Sequence, residues 1–363
     1  IKKIRIENHG LECMMVYIRI NKMKLLIITQ KVDINDDNLG SFHDWIKKLA
    51  GFADINVIAN YAGEYELPEN AKIYSLGKEN GAGKIIKFLK YQWLLLKLLP
   101  KINGVFFHMC PEYVIGAGLW PKIFRKKSLL WYAHKSVNWK LRLAEKLVNK
   151  IFTPSKESFR LPSEKVEISG HGIDLVKFKT KETNKNGSGF KIISVGRITA
   201  VKNVHLLVET AEILKNKDFN NFEIKIAGAP IWESDKKYFE KIKEKVQEKK
   251  LEGIIEFVGH ISNKDIAEFY QNGDLFINLS DTGSLDKAVL EAMACGLKIL
   301  TSNEAFKNIL EKENIVDKNP ENIANKIIFL TKKSSSPILR EYVVKNHNLD
   351  NLIDKIIQRL KNG

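Results

Sequence analysis

Two α/β domains, each built on a parallel sheet, are what this sequence predicts, and three observations carry the prediction. Short apolar runs alternate with helix-like segments along most of the chain, the pattern of strand–helix–strand units. The runs are continuous rather than alternating in polarity, as strands buried on both faces require. A single polar, glycine-rich stretch at 180–189, Thr-Lys-Glu-Thr-Asn-Lys-Asn-Gly-Ser-Gly, divides the series in two. The 363 residues give room for about two domains of ordinary size.

The first domain spans 23–179. Its opening strand is the run Met23-Lys-Leu-Leu-Ile-Ile-Thr-Gln30. A loop follows, and Gly40-Ser41 open a helix over 42–49, where a doubly wound sheet brings backbone close to a ligand. A plain tight turn explains that glycine as well. Further strands are expected at 55–59, 71–75, 104–109, 128–133, 150–155 and 166–170, the last leading into Gly170-His-Gly-Ile-Asp174. Two strands end beside histidines, His108 and His134, at the strand end that faces the crevice of an open α/β sheet. Residues 1–22 read as an upstream extension, with Met23 as the natural start.

The second domain spans 190–345. Strands are expected at 191–195, 222–228, 254–259, 274–279 and 298–301, with helices at 204–214, 235–249 and 263–272. Asn203 can cap the first of these helices. Arg197 and Lys202 then flank a strand–loop–helix turn, a usual place for an anion. The strand at 274–279 runs into Thr282-Gly-Ser-Leu-Asp-Lys-Ala-Val-Leu-Glu-Ala-Met-Ala-Cys-Gly296, a small-residue helix that stops at glycine. Gly283 and Ser284 precede its start, where free N–H groups favour an anion, and Asp286 is placed as N-cap. Lys287 and Glu291 lie four apart on one face, suited to a phosphate and to ribose hydroxyls. A Lys–Glu surface pair on an ordinary core helix fits the same spacing. The final helix, 349–360 within the segment 346–363, is expected to pack back on the first domain.

The charge balance is +16, from 59 Lys and Arg against 43 Asp and Glu. Such an excess fits phosphorylated substrates, an anionic membrane or nucleic acid, but no nucleic-acid-binding motif is present. Three scattered cysteines, Cys13, Cys110 and Cys295, form neither a disulfide framework nor a metal-ligand spacing, and indicate a reduced, cytoplasmic setting. No metal is expected, and no Gly-x-Ser-x-Gly nucleophile elbow occurs. No apolar run reaches the length of a membrane span, and Arg19, Lys22 and Lys24 interrupt the only signal-like stretch. The helix over 84–102 carries Lys84, Lys87, Lys90, Lys97 and Lys101, no acid, and much aromatic and leucine bulk. It reads either as a core helix with solvated lysines or as a contact for an anionic membrane surface.

Taken together, Val195-Gly-Arg197, Lys202, Val258-Gly-His260 and Leu290-Glu-Ala-Met-Ala-Cys-Gly296 resemble the donor half of glycosyltransferase family 4, the group 1 glycosyltransferases. The resemblance covers roughly 190–305 and extends more loosely to the strand at Lys24, the His134 segment and Gly170-His-Gly-Ile-Asp174. It implies GT-B architecture, two Rossmann-like domains facing across a cleft, and retaining transfer from a nucleotide-diphosphate sugar, the co-substrate, to a glycan or lipid-linked acceptor in surface polysaccharide assembly. Residue by residue, it implies that Arg197 and Lys202 hold the donor diphosphate and stabilise the leaving group, and that Glu291 holds the ribose. His134 would sit on the acceptor side of the sugar and Gly40 near the phosphate across the cleft. Gly196, His260, Ile261, Gly283, Ser284 and Lys287 would complete the donor site. One position departs: the family's Glu eight residues before Glu291 is Gly283 here, with Asp281 and Asp286 nearby but out of register. The alternatives are a non-catalytic nucleotide-sugar-binding protein and an epimerase of the same fold.

Overall fold

The computed structural model describes residues 2–4, 16–18, 22–36, 39–180 and 189–361. Most of the expected extension at 1–22, and residues 181–188 of the expected linker, lie outside them. Strands β1 (Lys2–Ile4) and β2 (Val16–Ile18) form an antiparallel pair.

Seven parallel strands build the first sheet: β3 (Met23–Val32), β4 (Ala53–Ala62), β5 (Ala71–Ser75), β6 (Gly104–His108), β7 (Lys127–Trp131), β8 (Lys150–Thr153) and β9 (Val166–Ile168). Their order is β5-β4-β3-β6-β7-β8-β9, so the winding reverses between β3 and β6. The helices are α1 (Gly40–Phe52), α2 (Lys84–Leu98), α3 (Pro111–Ala117), α4 (Trp120–Ile123) and α5 (Trp139–Leu147). The central strands bury both faces. Leu26, Ile28, Val105 and Phe107 meet α2, and Leu25, Ile27 and Phe106 meet α1.

The second sheet has five parallel strands: β10 (Phe190–Val195), β11 (Phe222–Ala227), β12 (Ile255–Gly259), β13 (Leu275–Asn278) and β14 (Lys298–Thr301). Its order is β12-β11-β10-β13-β14, reversing between β10 and β13. Helices α6 (Val204–Asn216), α7 (Glu233–Glu248), α8 (Ile266–Gln271), α9 (Lys287–Ala294), α10 (Pro320–Thr331) and α11 (Pro337–His347) cover it.

The chain crosses between the domains twice at nearly one point. Ile173 N–H donates to His347 O at 2.6 Å, and Leu349 N–H donates to Ile173 O at 2.9 Å. Gly170 has φ +82°, and a Cβ there would meet Asn346 O at 2.2 Å, so the crossing needs glycine. Beyond it, α12 (Leu349–Lys361) buries Leu352, Ile353, Ile356 and Leu360 with α1 and the first sheet. Gly104 makes room for Leu360, whose side chain lies 3.0 Å from the place of a Cβ.

Two expected caps are corrected. Asn203 precedes α6 but makes no cap. Its backbone is left-handed, and its amide donates to Leu279 O and Asp281 Oδ2, each at 2.9 Å. Asp286 precedes α9 and makes no cap either. Its carboxylate accepts from Lys202 Nζ at 2.6 Å and Asn278 Nδ2 at 3.0 Å, a charge-assisted arrangement that outcompetes a backbone N–H.

Candidate functional site

Three loops leave the C-terminal ends of β10, β11 and β12 and fold over one another. Gly196, after β10, has φ +148° and Gly228, after β11, has φ +140°. A Cβ on Gly228 would stand 2.0 Å from Gly196 O, so only glycine lets the loops approach so closely. Gly228 N–H in turn donates to Gly259 O at 2.7 Å. With the start of α9 they floor a pocket of about 320 Å³ at the reversal point of the second sheet, where open α/β sheets bind ligands. Asp36 and Ser41 reach it from the first domain, so it lies in the interdomain cleft.

Of the expected site residues, Gly196, Arg197, Lys202, His260, Ile261, Lys287 and Glu291 line this one pocket. Arg197 is exposed and makes no ion pair or hydrogen bond among the described residues. Lys202 lies over Gly196, with Nζ 3.6 Å from the place of a Cβ, and is ion-paired to Asp286. Burial opposes ionisation of Asp286, but the Lys202 ammonium and the Asn278 amide outweigh it and hold the carboxyl below its usual range. Glu291 is buried one turn into α9, 3.2 Å from Lys287 Nζ, and accepts from Tyr270 Oη at 3.0 Å. That bond and burial push the Tyr270 phenol well above its usual range, burial most strongly, so Tyr270 remains a donor.

Four expected residues are placed elsewhere. Gly40 is buried behind the lining, packed against Asn263 of the other domain, 3.3 Å from the place of a Cβ, while its neighbour Ser41 reaches the pocket. Gly283 turns away into an adjacent cavity of about 700 Å³ shared with Lys135 and Arg160, and its carbonyl accepts from Arg160 at 3.3 Å. Ser284 lines neither cavity, and its carbonyl is taken by Asn303 Nδ2 at 2.9 Å. The reason is the left-handed turn at Gly283 (φ +60°), which swings 283–284 toward the first domain and brings Lys287 and Ala288 to the pocket instead. His134 is exposed beyond β7 and lines none of these cavities; its Nδ1 accepts from Ser136 N–H at 3.1 Å.

The deep side chain at the end of a first-domain strand is His108. It stacks on Phe42 with ring centres 3.7 Å apart, and Thr29 Oγ1 lies 3.3 Å from its Nδ1. It lines a smaller chamber of about 190 Å³ that shares Ser41 and Lys287 with the main pocket. Burial, with a smaller contribution from the Lys287 charge, pushes the His108 imidazole down to about 3, so it is neutral at pH 7.

The main pocket also takes Asp36, Ser41, Ala227, Gly228, Ala229, Asn263 and Thr282, none of which the sequence assigned to the donor site. Gly228 closes Phe-Glu-Ile-Lys-Ile-Ala-Gly at the end of an expected strand, the same signal that marked Gly196, and was legible. Asn263 and Ser41 enter only through domain packing. Asn263 donates to Asp44 Oδ2 at 2.9 Å across the domains, and the same oxygen accepts from Lys177 at 3.3 Å. Burial raises the Cys110 and Cys295 thiols to about 12, so neither is a reactive thiolate. Among the described residues no three His, Cys, Asp or Glu gather as a metal site.

Comparison with known proteins agrees in outline. Residues 176–349 match the family model for glycosyl transferases group 1. A candidate colanic acid biosynthesis glycosyltransferase of Salmonella typhimurium, WcaL, is 26% identical over 152 residues, 40% of this chain and 36% of that protein. The amylovoran biosynthesis glycosyltransferase AmsK of Erwinia amylovora is 27% identical over 160 residues, 42% of this chain and 38% of that protein. The chain thus spans little more than a third of the length of these curated relatives. Among solved structures, HepE of Anabaena with UDP and glucose superposes with a TM-score of 0.73, covering 94% of this chain and 100% of that one at 13% identity. A glycosyltransferase of Rickettsia africae gives 0.72 over 95% and 100%, at 17% identity. The fold is therefore that of GT-B glycosyltransferases, two parallel-sheet α/β domains, and the relatives support the glycosyltransferase superfamily.

Proposed function

We propose that the protein is a retaining glycosyltransferase that moves a sugar from a nucleotide-diphosphate sugar to a glycan or lipid-linked acceptor in surface polysaccharide assembly. The observation that carries the reading is the convergence of Arg197, Lys202, Lys287 and Glu291 on one cleft pocket at the strand ends. Departure of a nucleoside diphosphate builds negative charge on its phosphates. An unpaired guanidinium, a lysine aligned by Asp286 and the first turn of α9 are positioned to stabilise that charge from fixed groups. Glu291, held by Tyr270 and Lys287, is oriented to accept from ribose hydroxyls. The Lys202–Asp286 pair is nearly neutral as a unit, which makes Arg197 the principal charge for the diphosphate.

The acceptor enters from the first domain, and its surface supports a membrane-facing role on the cytoplasmic side. Helix α2 exposes Ile85 (76%), Ile86, Phe88, Leu89 and Trp93 (56%) among its lysines, and Ile123 of α4 and Trp139 of α5 are also exposed. Gln92 of α2 donates to Gly116 O of α3 and accepts from Trp120 Nε1 of α4, so these three helices are tied together. Large exposed apolar side chains interleaved with lysine suit an anionic bilayer. No helix among the described residues is long and apolar enough to cross a membrane.

The test is incubation with a panel of nucleotide sugars, following nucleoside diphosphate release and the anomeric configuration of any product by NMR. Slow release from one donor, accelerated by acceptor, with retained configuration, supports the reading. Tight binding without release supports a non-catalytic nucleotide-sugar binder, which the placement of His134 outside the cavities favours.

A further inference from the structure

The cavity of about 700 Å³ lies on the far side of the loop at 280–284 from the main pocket. Thr282 lines the main pocket, while Ser280, Asp281 and Gly283 line this cavity. Two cations of the first domain form its other wall. Lys135 follows β7 and is half-buried, and Arg160 follows β8 and is exposed. Both approach the turn at Gly283, where a Cβ would stand 3.2 Å from Lys135 Nζ and 3.7 Å from an Arg160 nitrogen. Glycine therefore leaves the space between the two cations open. Lys135 donates to Asp281 O and Arg160 to Gly283 O, each at 3.3 Å. These bonds are long for charged donors, and a backbone carbonyl carries no charge to neutralise theirs. Each cation commits one donor, of three on the ammonium and five on the guanidinium. Neither has a carboxylate partner among the described residues.

The remaining charges of the cavity are already engaged. Asp281 pairs with Lys318, Glu304 pairs with Lys307 at 3.8 Å, and Asp317 accepts from Asn322 Nδ2 at 2.9 Å. Four cations against three carboxylates leave one positive charge, and the unengaged part of it lies at Lys135 and Arg160. A ligand with a single negative group meets that excess. A dianion such as a phosphate monoester, or a polyanion, is opposed by Asp281, Glu304 and Asp317 as well. The same carboxylates keep lone pairs that accept from hydroxyls. One carboxylate among several hydroxyls satisfies both walls, with the guanidinium fork matched to the carboxylate. The volume is that of an ordinary small-molecule site.

We propose that this cavity binds an acidic sugar residue, its carboxylate held between Lys135 and Arg160 and its hydroxyls turned toward the acidic wall. The loop at 280–284 separates it from the donor pocket, and both cations come from the first domain, so the acidic sugar belongs to the acceptor glycan. That last step rests on the transferase reading; the preference for a monoanionic sugar does not.

The experiment titrates the full chain with methyl β-glucuronide, with the neutral methyl β-glucoside and with glucose 6-phosphate, by ligand-observed NMR, in the absence and presence of UDP. The variants are Lys135→Met, Arg160→Gln and the two combined. Each loses only a long bond to a carbonyl, so melting temperatures within a few degrees of the parent show that they fold. The glucuronide is expected to bind about 10-fold more tightly than the glucoside. Each single change should weaken glucuronide binding about 3- to 10-fold, and the combined variant should bind the two sugars alike. Equal binding of glucuronide and glucoside by the parent, no glucuronide binding, or a preference that survives the combined variant overturns the site. Tighter binding of glucose 6-phosphate than of the glucuronide overturns the assignment to a carboxylate. Nucleoside diphosphate release from the donor panel is measured on the same proteins. Glucuronide preference without release from any donor keeps the site and removes the transferase reading; release without the preference does the reverse.

Discussion

Replacing Lys202 by methionine tests the electrostatic core of the pocket. Lys202 Nζ and Asp286 Oδ2 are 2.6 Å apart, with side chains 19% and 13% exposed. Removing one partner of a buried pair costs about 3–5 kcal/mol, because the other charge is left uncompensated. Asp286 keeps the Asn278 amide and some solvent contact, so the expected loss at pH 7 is at the low end, about 3 kcal/mol. Its pH dependence has a definite sign. In the parent the carboxyl is held below its usual value, so its contribution is present above that value and fades as pH falls through the lowered one. Without Lys202 the burial contribution dominates and raises the carboxyl instead, so the penalty is largest near pH 7 and shrinks as the medium approaches pH 4. Urea denaturation of Lys202→Met, Asp286→Asn and the double variant at pH 7 and pH 4 measures this. The double variant should recover to within about 1 kcal/mol of the parent, since both charges are gone. Equal losses at both pH values, or a double variant as unstable as Lys202→Met, would refute the reasoning.

Three further outcomes follow from the geometry. Arg197→Ala should weaken nucleoside diphosphate binding by about 1.5–3 kcal/mol with little change in stability, since its exposed guanidinium has no protein partner to lose; calorimetry and a thermal melt separate the two effects. Glu291→Ala should lose affinity by a similar amount and, by leaving Tyr270 Oη without its acceptor, lower stability by about 1–3 kcal/mol, whereas Glu291→Gln should restore most of the stability but not the affinity. Phe88→Glu on the exposed face of α2 should abolish sedimentation with vesicles of anionic phospholipid at low salt while leaving the melting temperature unchanged; parent binding that is indifferent to salt and to this change would remove the membrane contact.

The legible parts of this protein are those in which local sequence already contains its own partners. Buried parallel strands announce themselves as unbroken apolar runs, and β5 and β14 coincide with the expected residues end for end. Arg197, Lys202, Lys287 and Glu291 were found because each sits within a few residues of a strand end or helix start. Helices α3 and α4 were passed over because seven and four residues, broken by Gly118, are too short to show a helical period. Helix α10 was also passed over, although Asn319 caps it and Pro320 follows, a start signal that the sequence does display.

By itself, then, the sequence determined two parallel α/β sheets, a charge pattern suited to an anion and the residues most able to meet one, because backbone pairing and helix starts depend on near neighbours. Tertiary structure alone decided that Asp286 serves Lys202 rather than the helix backbone, that Gly283 and Ser284 turn from the pocket while Asp36 and Ser41 enter it, and that His108 rather than His134 lines a cavity of the cleft. These outcomes rest on contacts between residues some eighty or more positions apart, or in separate domains. The competition there between a carboxylate's several donors, or a loop's several directions, is settled by which group the packed domains bring within reach.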